Sequence, residues 1–377
     1  MAKREVVFGF PFLRYQRLSV FTDNMSGVTP AQFFQHLEAT FESIPLSQQR
    51  LIQVGPCATR IRSSSKRMDE RFNRPLVHLE EPAPGVAPDF TLDFLDVAAT
   101  SMAFPRLPWP PQQRSVEQQT AEYGEGPFLF TLHGNQVFTA SNFSKSRTLG
   151  FVRDPRNWLP DHYKQAIFIT LYQHLRRYGL QLVHASAIAL NNKAILIAGK
   201  SGAGKTTAML SCVQQGFDFL GDDTTILLRS QDRALTVVSL LNTLNVTDQT
   251  LAWFPRLRPH VSDPPNAVGK HLVFLNEAYP QRIALQGEVA IILVPEVIDG
   301  SETTLEPANK MTLLSELLPY SLDLHDPAQV SEQLAFLVDM LETLPSFRLR
   351  LGRDRHRLPG ILSSLLAKTP GVAEPAP

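Results

Sequence analysis

Residues 199–206 read Gly199-Lys200-Ser201-Gly202-Ala203-Gly204-Lys205-Thr206, a match to G-x-x-x-x-G-K-[ST]. No other stretch of the chain narrows the choice of fold as far. Glycines at 199, 202 and 204 permit the backbone torsions and close approach through which main-chain N–H groups converge on phosphate oxygens. Such a loop works between a strand and a helix, because the helix N-terminus adds partial positive charge. Both flanks are present: residues 194–198 (AILIA) form an apolar strand candidate and 205–215 a helix candidate. A second short apolar run, 217–220, ends in Gly221 and the pair Asp222-Asp223. Strand, loop, helix, strand and acid, in that order, is the layout of a nucleoside triphosphate site in an α/β fold.

The loop assigns its own chemistry. Gly199, Lys200, Ser201, Gly202, Ala203, Gly204, Lys205, Thr206 and Thr207 are the expected nucleotide contacts. Lys205 is placed to bridge the β- and γ-phosphates, and the Thr206 hydroxyl to ligate Mg²⁺. Parallel strands of one sheet end on the same side, so Asp222 and Asp223 are expected near the phosphates. One can hold Mg²⁺, directly or through water, and the other can accept a proton from an attacking hydroxyl. Taken without the loop, an aspartate pair after a strand is an ordinary turn. His184, in the strand LVHASA before the loop strand, is by itself an ordinary core histidine. Two basic stretches follow. Residues 255–270 read as a loop carrying Arg256, Arg258, His260 and Lys270, of which Lys270 is the candidate for touching substrate. Residues 353–357 carry Arg353, Arg355, His356 and Arg357 and read as a surface turn.

Composition excludes other classes. Lys+Arg and Asp+Glu both number 36, so the chain lacks the basic excess of a dedicated nucleic-acid binder. Its two cysteines, Cys57 and Cys212, have no partners at metal-ligand spacing, which speaks against zinc and for a reducing compartment. No apolar run approaches the ~20 residues of a spanning helix. The N-terminal run is broken by Pro11, Arg14 and Arg17, unlike the apolar core of a signal peptide. The expectation is a cytoplasmic protein with neither nucleic acid nor membrane as partner. No H-E-x-x-H, C-x-x-C or G-x-S-x-G motif occurs, so metalloprotease and hydrolase readings have no footing.

The pattern predicts a smaller α+β region over residues 1–155, a P-loop domain over 156–368 and a disordered tail over 369–377. In the first region, strands are expected at 5–10, 90–95, 128–132 and 136–140, with a helix at 31–43 opened by Thr29-Pro30. Residues 63–71 (SSSKRMDER) read as an exposed polar loop, and 104–114, rich in proline, as a linker or crossing loop. A helix is expected over 160–178, capped by Gly179. Further on, strands are expected at 225–228, 235–240, 271–275, 289–294 and 347–351, and helices at 248–254, 308–318, 328–344 and 359–367.

A histidine fifteen positions before the loop, the loop itself, a helix, Gly216 and an aspartate pair beginning seventeen positions after Lys205 together resemble the catalytic domain of HPr kinase/phosphorylase and its relatives. That resemblance implies an α/β P-loop kinase fold of the HPr kinase/phosphoenolpyruvate carboxykinase-like type, and an ATP-dependent transfer to a serine hydroxyl of a protein or peptide. It implies Asp222 as general base, Thr206 and Asp223 at Mg²⁺, Lys205 and the loop amides on the nucleotide, and His184 close to the phosphates. Oligomerisation stays open. Departures limit what carries over. Lys205-Thr206-Thr207 stands where HPr kinases usually have Lys-Ser-Glu, and no E-[IV]-R-G-[LI]-G stretch follows. Phosphorylase activity, hexamer assembly and HPr as substrate are therefore not carried over; the chain looks more like the HPr-kinase-related kinases. A nucleotide-binding regulator, a slow ATPase and a small-molecule kinase are the alternatives.

Overall fold

The computed structural model describes residues 27–100, 102–115, 120–157, 160–262, 264–266, 268–321 and 327–369. The strand expected over 5–10, and residues 370–377 of the tail, lie outside them.

The first sheet holds eight strands among the described residues. They are β1 (Gln48–Val54), β2 (Cys57–Ser63), β3 (Phe90–Asp96), β4 (Gln113–Ser115), β5 (Thr120–Glu125), β6 (Phe128–His133), β7 (Val137–Asn142) and β8 (Arg147–Val152), in the spatial order β1-β2-β3-β8-β7-β6-β5-β4. Helix α1 (Pro30–Glu42) covers one face. Thr29 caps it and Gln32 closes the capping box, while Phe33, Phe34, Leu37 and Phe41 pack on Phe130, Phe138, Leu149 and Phe151. The proline-rich stretch is no free linker: Leu107 is buried in that same cluster, and Trp109 stacks on Tyr123 at 4.6 Å. It straps the sheet and leads into β4.

Residues 63–71 correct the reading of an exposed loop. Ser65 accepts the N–H of Met68 and caps a helix, α2 (Lys66–Asn73), whose Met68 and Phe72 are buried. That apolar pair at i, i+4 supplies one stripe, and the surrounding charges only coat the other face.

After α3 (Pro160–Leu175) and a tight turn closed by left-handed Gly179, the chain builds the second sheet. Its strands are β9 (Leu180–Val183), β10 (Ala185–Leu190), β11 (Lys193–Ala198), β12 (Asp218–Gly221), β13 (Thr225–Arg229) and β14 (Leu235–Val238). A small sheet interrupts them, made of β15 (Thr243–Val246), β16 (Val261–Ser262) and β17 (His271–Phe274). The second sheet is completed by β18 (Gln286–Val297), β19 (Thr304–Pro307) and β20 (Ser346–Leu351). The spatial order is β12-β10-β11-β18-β14-β13-β9, with β20 also pairing β18 and β19 pairing β20. The helices of this half are α4 (Lys205–Val213), α5 (Asp248–Trp253), α6 (Leu275–Ala278), α7 (Lys310–Ser321), α8 (Pro327–Thr343) and α9 (Leu358–Lys368). Alternation along the strands sorts the faces. Ile188, Ile195 and Ile197 meet Met209 and Leu210 of α4 and Leu362 of α9, whereas Ala187, Leu196 and Ile292 meet Leu313 of α7 and Met340 of α8.

The two halves share apolar packing. Phe72, Phe94, Ile167, Leu171 and Leu175 form one cluster with Leu180, Ile226, Val238 and Phe274. Polar links reinforce it: Arg74 forks onto Glu277 at 2.8 and 3.1 Å, and His78 meets Ser239 at 2.9 Å. No helix among the described residues is long and apolar enough to cross a membrane.

Candidate active site

A two-residue turn sets the geometry. Asn191 and Asn192 both take positive φ, 50° and 63°, as the tightest hairpin turn requires. Counting outward from that turn pairs Leu190 with Lys193 and, five residues further along each strand, Ala185 with Ala198. His184 therefore lands beside Gly199, and the fifteen-residue spacing seen in the sequence is the span of this hairpin. His184 does not sit within a strand, as its apolar neighbours suggested. It is the joint between β9 and β10, and its backbone N–H donates to Ser321 Oγ at 3.0 Å.

Strand β10 is antiparallel to both β11 and β12, so those two run parallel to each other and end at the same edge. Gly199 leaves β11 there and Asp222 leaves β12. Gly199, Gly202 and Gly204 take φ of 137°, 82° and 100°, values that side-chain-bearing residues rarely adopt. Gly204 also lies against its neighbours, since a Cβ there would come within 2.9 Å of Leu351.

The candidate side chains meet at this edge. Lys205 is 5 % exposed; its Nζ donates to the Gly199 carbonyl at 2.7 Å, stands 3.3 Å from His184 Nε2, and lies 3.9 Å from Asp223 Oδ1. Burial pushes the Lys205 ammonium below the ordinary lysine range, Lys270 adds to that, and Asp223 and Asp222 oppose it. His184 is likewise pushed down, first by burial and then by Lys205, against a pull from Asp223; its ring is neutral near pH 7 and can accept from Lys205. Asp222, also buried, accepts from Ser186 Oγ at 2.6 Å, and Thr206 Oγ1 lies 3.4 and 3.5 Å from its two carboxylate oxygens. Asp223 turns out in a left-handed conformation, φ 61°, so the neighbouring acids point to different places.

The structure brings together Lys205, Thr206, His184, Asp222 and Asp223, and it adds Ser186. Thr206 faces Asp222 rather than Asp223, while Asp223 faces Lys205. The 255–270 cations separate. Arg256 lies over the Tyr279 ring and His260 meets Glu277, whereas the Lys270 charge acts on both His184 and Lys205. Lys270 stands immediately before β17, on a turn held by Asn266 Oδ1, which accepts the N–H groups of Val268 and Lys270. Residues 255–270 are not all loop: a 3-10 turn (Pro255–His260) and β16 occupy part of them.

The donor set fits Mg²⁺. A hydroxyl and two carboxylates stand beside the glycine loop, and no group of three or more His, Cys, Asp or Glu among the described residues forms a protein-only cage. Mg²⁺ keeps waters and takes phosphate oxygens, so few protein ligands suffice.

No family model matches this sequence, and no curated protein matches it. Among solved structures, the HPr(Ser) kinase/phosphatase from Coxiella burnetii is similar at 12 % identity and a TM-score of 0.28, over 50 % of this chain and 94 % of that one.

Proposed function

We propose that this chain is an ATP-dependent kinase that transfers the γ-phosphoryl group to a hydroxyl, a serine of a protein or peptide. One observation carries the reading: the sheet order β12-β10-β11 delivers the glycine loop, a buried lysine, a neutral histidine and two differently placed carboxylates to a single edge. A phosphate-binding switch needs the loop and one metal-directed acid, whereas phosphoryl transfer to a hydroxyl also needs a proton acceptor.

In this reading the loop amides and Lys205 hold the β- and γ-phosphates, and His184 fixes the Lys205 ammonium. Thr206 and Asp223 would hold Mg²⁺, which when bound neutralises phosphate charge. Asp222 orients the acceptor hydroxyl and takes its proton as the serine oxygen bonds to the γ-phosphorus. The bond from phosphorus to the β,γ-bridging oxygen breaks, and ADP leaves with that electron pair. Most of the rate gain comes from positioning and charge stabilisation. A second division of the acid roles has one observation in its favour: Thr206 stands beside Asp222, which suits Asp222 to the metal and Asp223 to the proton. Titrating Mg²⁺ against Asp222→Asn and Asp223→Asn separates the two, because loss of the metal-directed acid raises the Mg²⁺ requirement and loss of the base does not.

Incubation with γ-labelled ATP and a lysate of the source cells tests the reading. A discrete labelled acceptor is expected, absent with Lys205→Ala. Phosphate release with no labelled acceptor would overturn the kinase reading in favour of a slow ATPase or regulator. Label in a small molecule would leave the chemistry and change the acceptor class.

A further inference from the structure

The catalytic groups lie on one side of the glycine loop. Asp222 follows β12 and His184 precedes β10, so the γ-phosphate end of a bound nucleotide is set toward that side of β11. A triphosphate is a linear chain cradled by the loop, so the nucleoside end must point the other way, toward β18 and β20. Those strands run parallel to β11 and end at the same edge. The loop rests on them: a Cβ on Gly199 would lie 3.8 Å from Val294, and one on Gly204 would lie 3.2 Å from Val297 and 2.9 Å from Leu351.

Beyond those strand ends, residues 298–303 and 352–357 are tied into one unit. The Ile298 N–H donates to the Leu351 carbonyl at 3.1 Å, and the Arg353 N–H to that of Gly300 at 3.1 Å. Asp354 Oδ1 accepts both the N–H and the hydroxyl of Thr303 at 2.7 Å, and the Gly352 N–H donates to Thr303 Oγ1 at 3.1 Å. The packing leaves no room for a side chain at 352, where a Cβ would sit 2.6 Å from the Glu302 carbonyl carbon. From this base the Arg355 guanidinium lies over the indole of Trp253, 4.3 Å from the ring centroid. Trp253 ends α5 and is 40 % exposed. Its neighbours Leu251, Phe254 and Leu257 are anchored in the core with Met209 of α4 and Leu358 of α9.

We propose that the Arg355–Trp253 stack is the nucleobase subsite. The inference rests on the nucleotide reading above and adds where the base goes. A flat guanidinium on a flat ring offers two planar surfaces at the end of the loop where the nucleoside must emerge. The basic run at 353–357 is thus divided in its work: Arg353 pairs with Asp299 at 2.5 Å and Arg357 with Asp354 at 3.6 Å, which steadies the turn, and Arg355 is turned onto the aromatic ring.

The test compares ligands that share a triphosphate and differ in the base. Calorimetric titration of the full chain with MgATP and with inorganic tripolyphosphate is run for the parent, Arg355→Ala and Lys205→Ala. Loss of one stacking partner weakens ATP binding by about ten-fold, while tripolyphosphate binding stays within about two-fold, and Lys205→Ala weakens both. Tryptophan emission gives an independent readout: ATP shifts it, tripolyphosphate does not, and Trp253→Phe abolishes the shift. Unchanged ATP affinity in Arg355→Ala, or an equal loss for both ligands, overturns the base subsite and leaves the loop reading standing. A parent that binds neither ligand overturns the loop reading, and this one with it.

Discussion

Asp222 is held in part by a residue with no visible signature. Ser186 shares with Ile188 the face of β10 that α4 covers, and its hydroxyl donates to Asp222 Oδ1 at 2.6 Å with no solvent access. A hydrogen bond to a buried charge contributes ~1.5–3 kcal/mol, so Ser186→Ala is expected to lower kcat by about ten-fold or more. In the proposed kinase the KM for ATP should hardly move, because the glycine loop and Lys205 are untouched. Steady-state kinetics beside a urea titration checks this; a fall in stability with kcat unchanged would make the bond merely structural. Asp222 was legible from the residues, since a helix and a short strand space it from the glycine loop; His184 was legible only through the resemblance, because the hairpin that sets it beside Gly199 shows only in the structure. Ser186 was not legible, since its partner depends on the β10–β12 register. That register slips at Ala187/Ile188, which no local pattern records.

At the scale of elements, legibility followed burial on one face. The long helices and the strands around the glycine loop carry apolar stripes and stand close to their expected positions. Strands β1, β2, β5 and β8 do not announce themselves. β2 carries Arg60 and Arg62, and Arg62 is neutralised by Asp93 of β3, at 2.6 Å across a separation of 31 residues. Charge in a strand reads as loop until its partner is known. The helix α2 was hidden in the same way, its two apolar residues outnumbered by charges. Its start rests on Ser65, which accepts the Met68 N–H at 3.3 Å and donates to Asp96 at 3.0 Å. Ser65→Ala is expected to cost about 1 kcal/mol, measured as a lower urea midpoint with an unchanged slope. No loss would mean that Met68 and Phe72 alone hold the helix.

Across the whole molecule, the first sheet is fastened to the second through α2 and α3, and in or beside it lie two buried histidines, His133 and His174, and a half-buried one, His78. Burial, with Arg50 nearby, pushes His78 down to about 4; burial alone pushes His133 to about 4; burial with Arg177 and Arg176 pushes His174 to about 3. Their settings favour the neutral ring: His78 and His174 accept or donate at Ser239 and Thr148, and His174 stacks on Phe90 with an interplanar angle of 5°. Because the folded values lie below the unfolded value near 6.5, the unfolded chain takes up these protons first. Their contribution is whole above pH 6.5 and is lost as the pH falls from there toward 4. By pH 5 each site has given up about 2 kcal/mol, a large share of a typical ~5–15 kcal/mol total. Urea titrations between pH 7.5 and 5 should show that fall. In His133→Gln the stability at pH 7.5 can move either way, but the difference between the two pH values should shrink by about 2 kcal/mol. An unchanged difference would mean that His133 gains its proton without unfolding the sheet. The same acid range should also loosen the seam at His78 and Ser239, which joins the first sheet to the half that bears the glycine loop. Nucleotide binding is therefore expected to weaken on acidification in step with the urea midpoint.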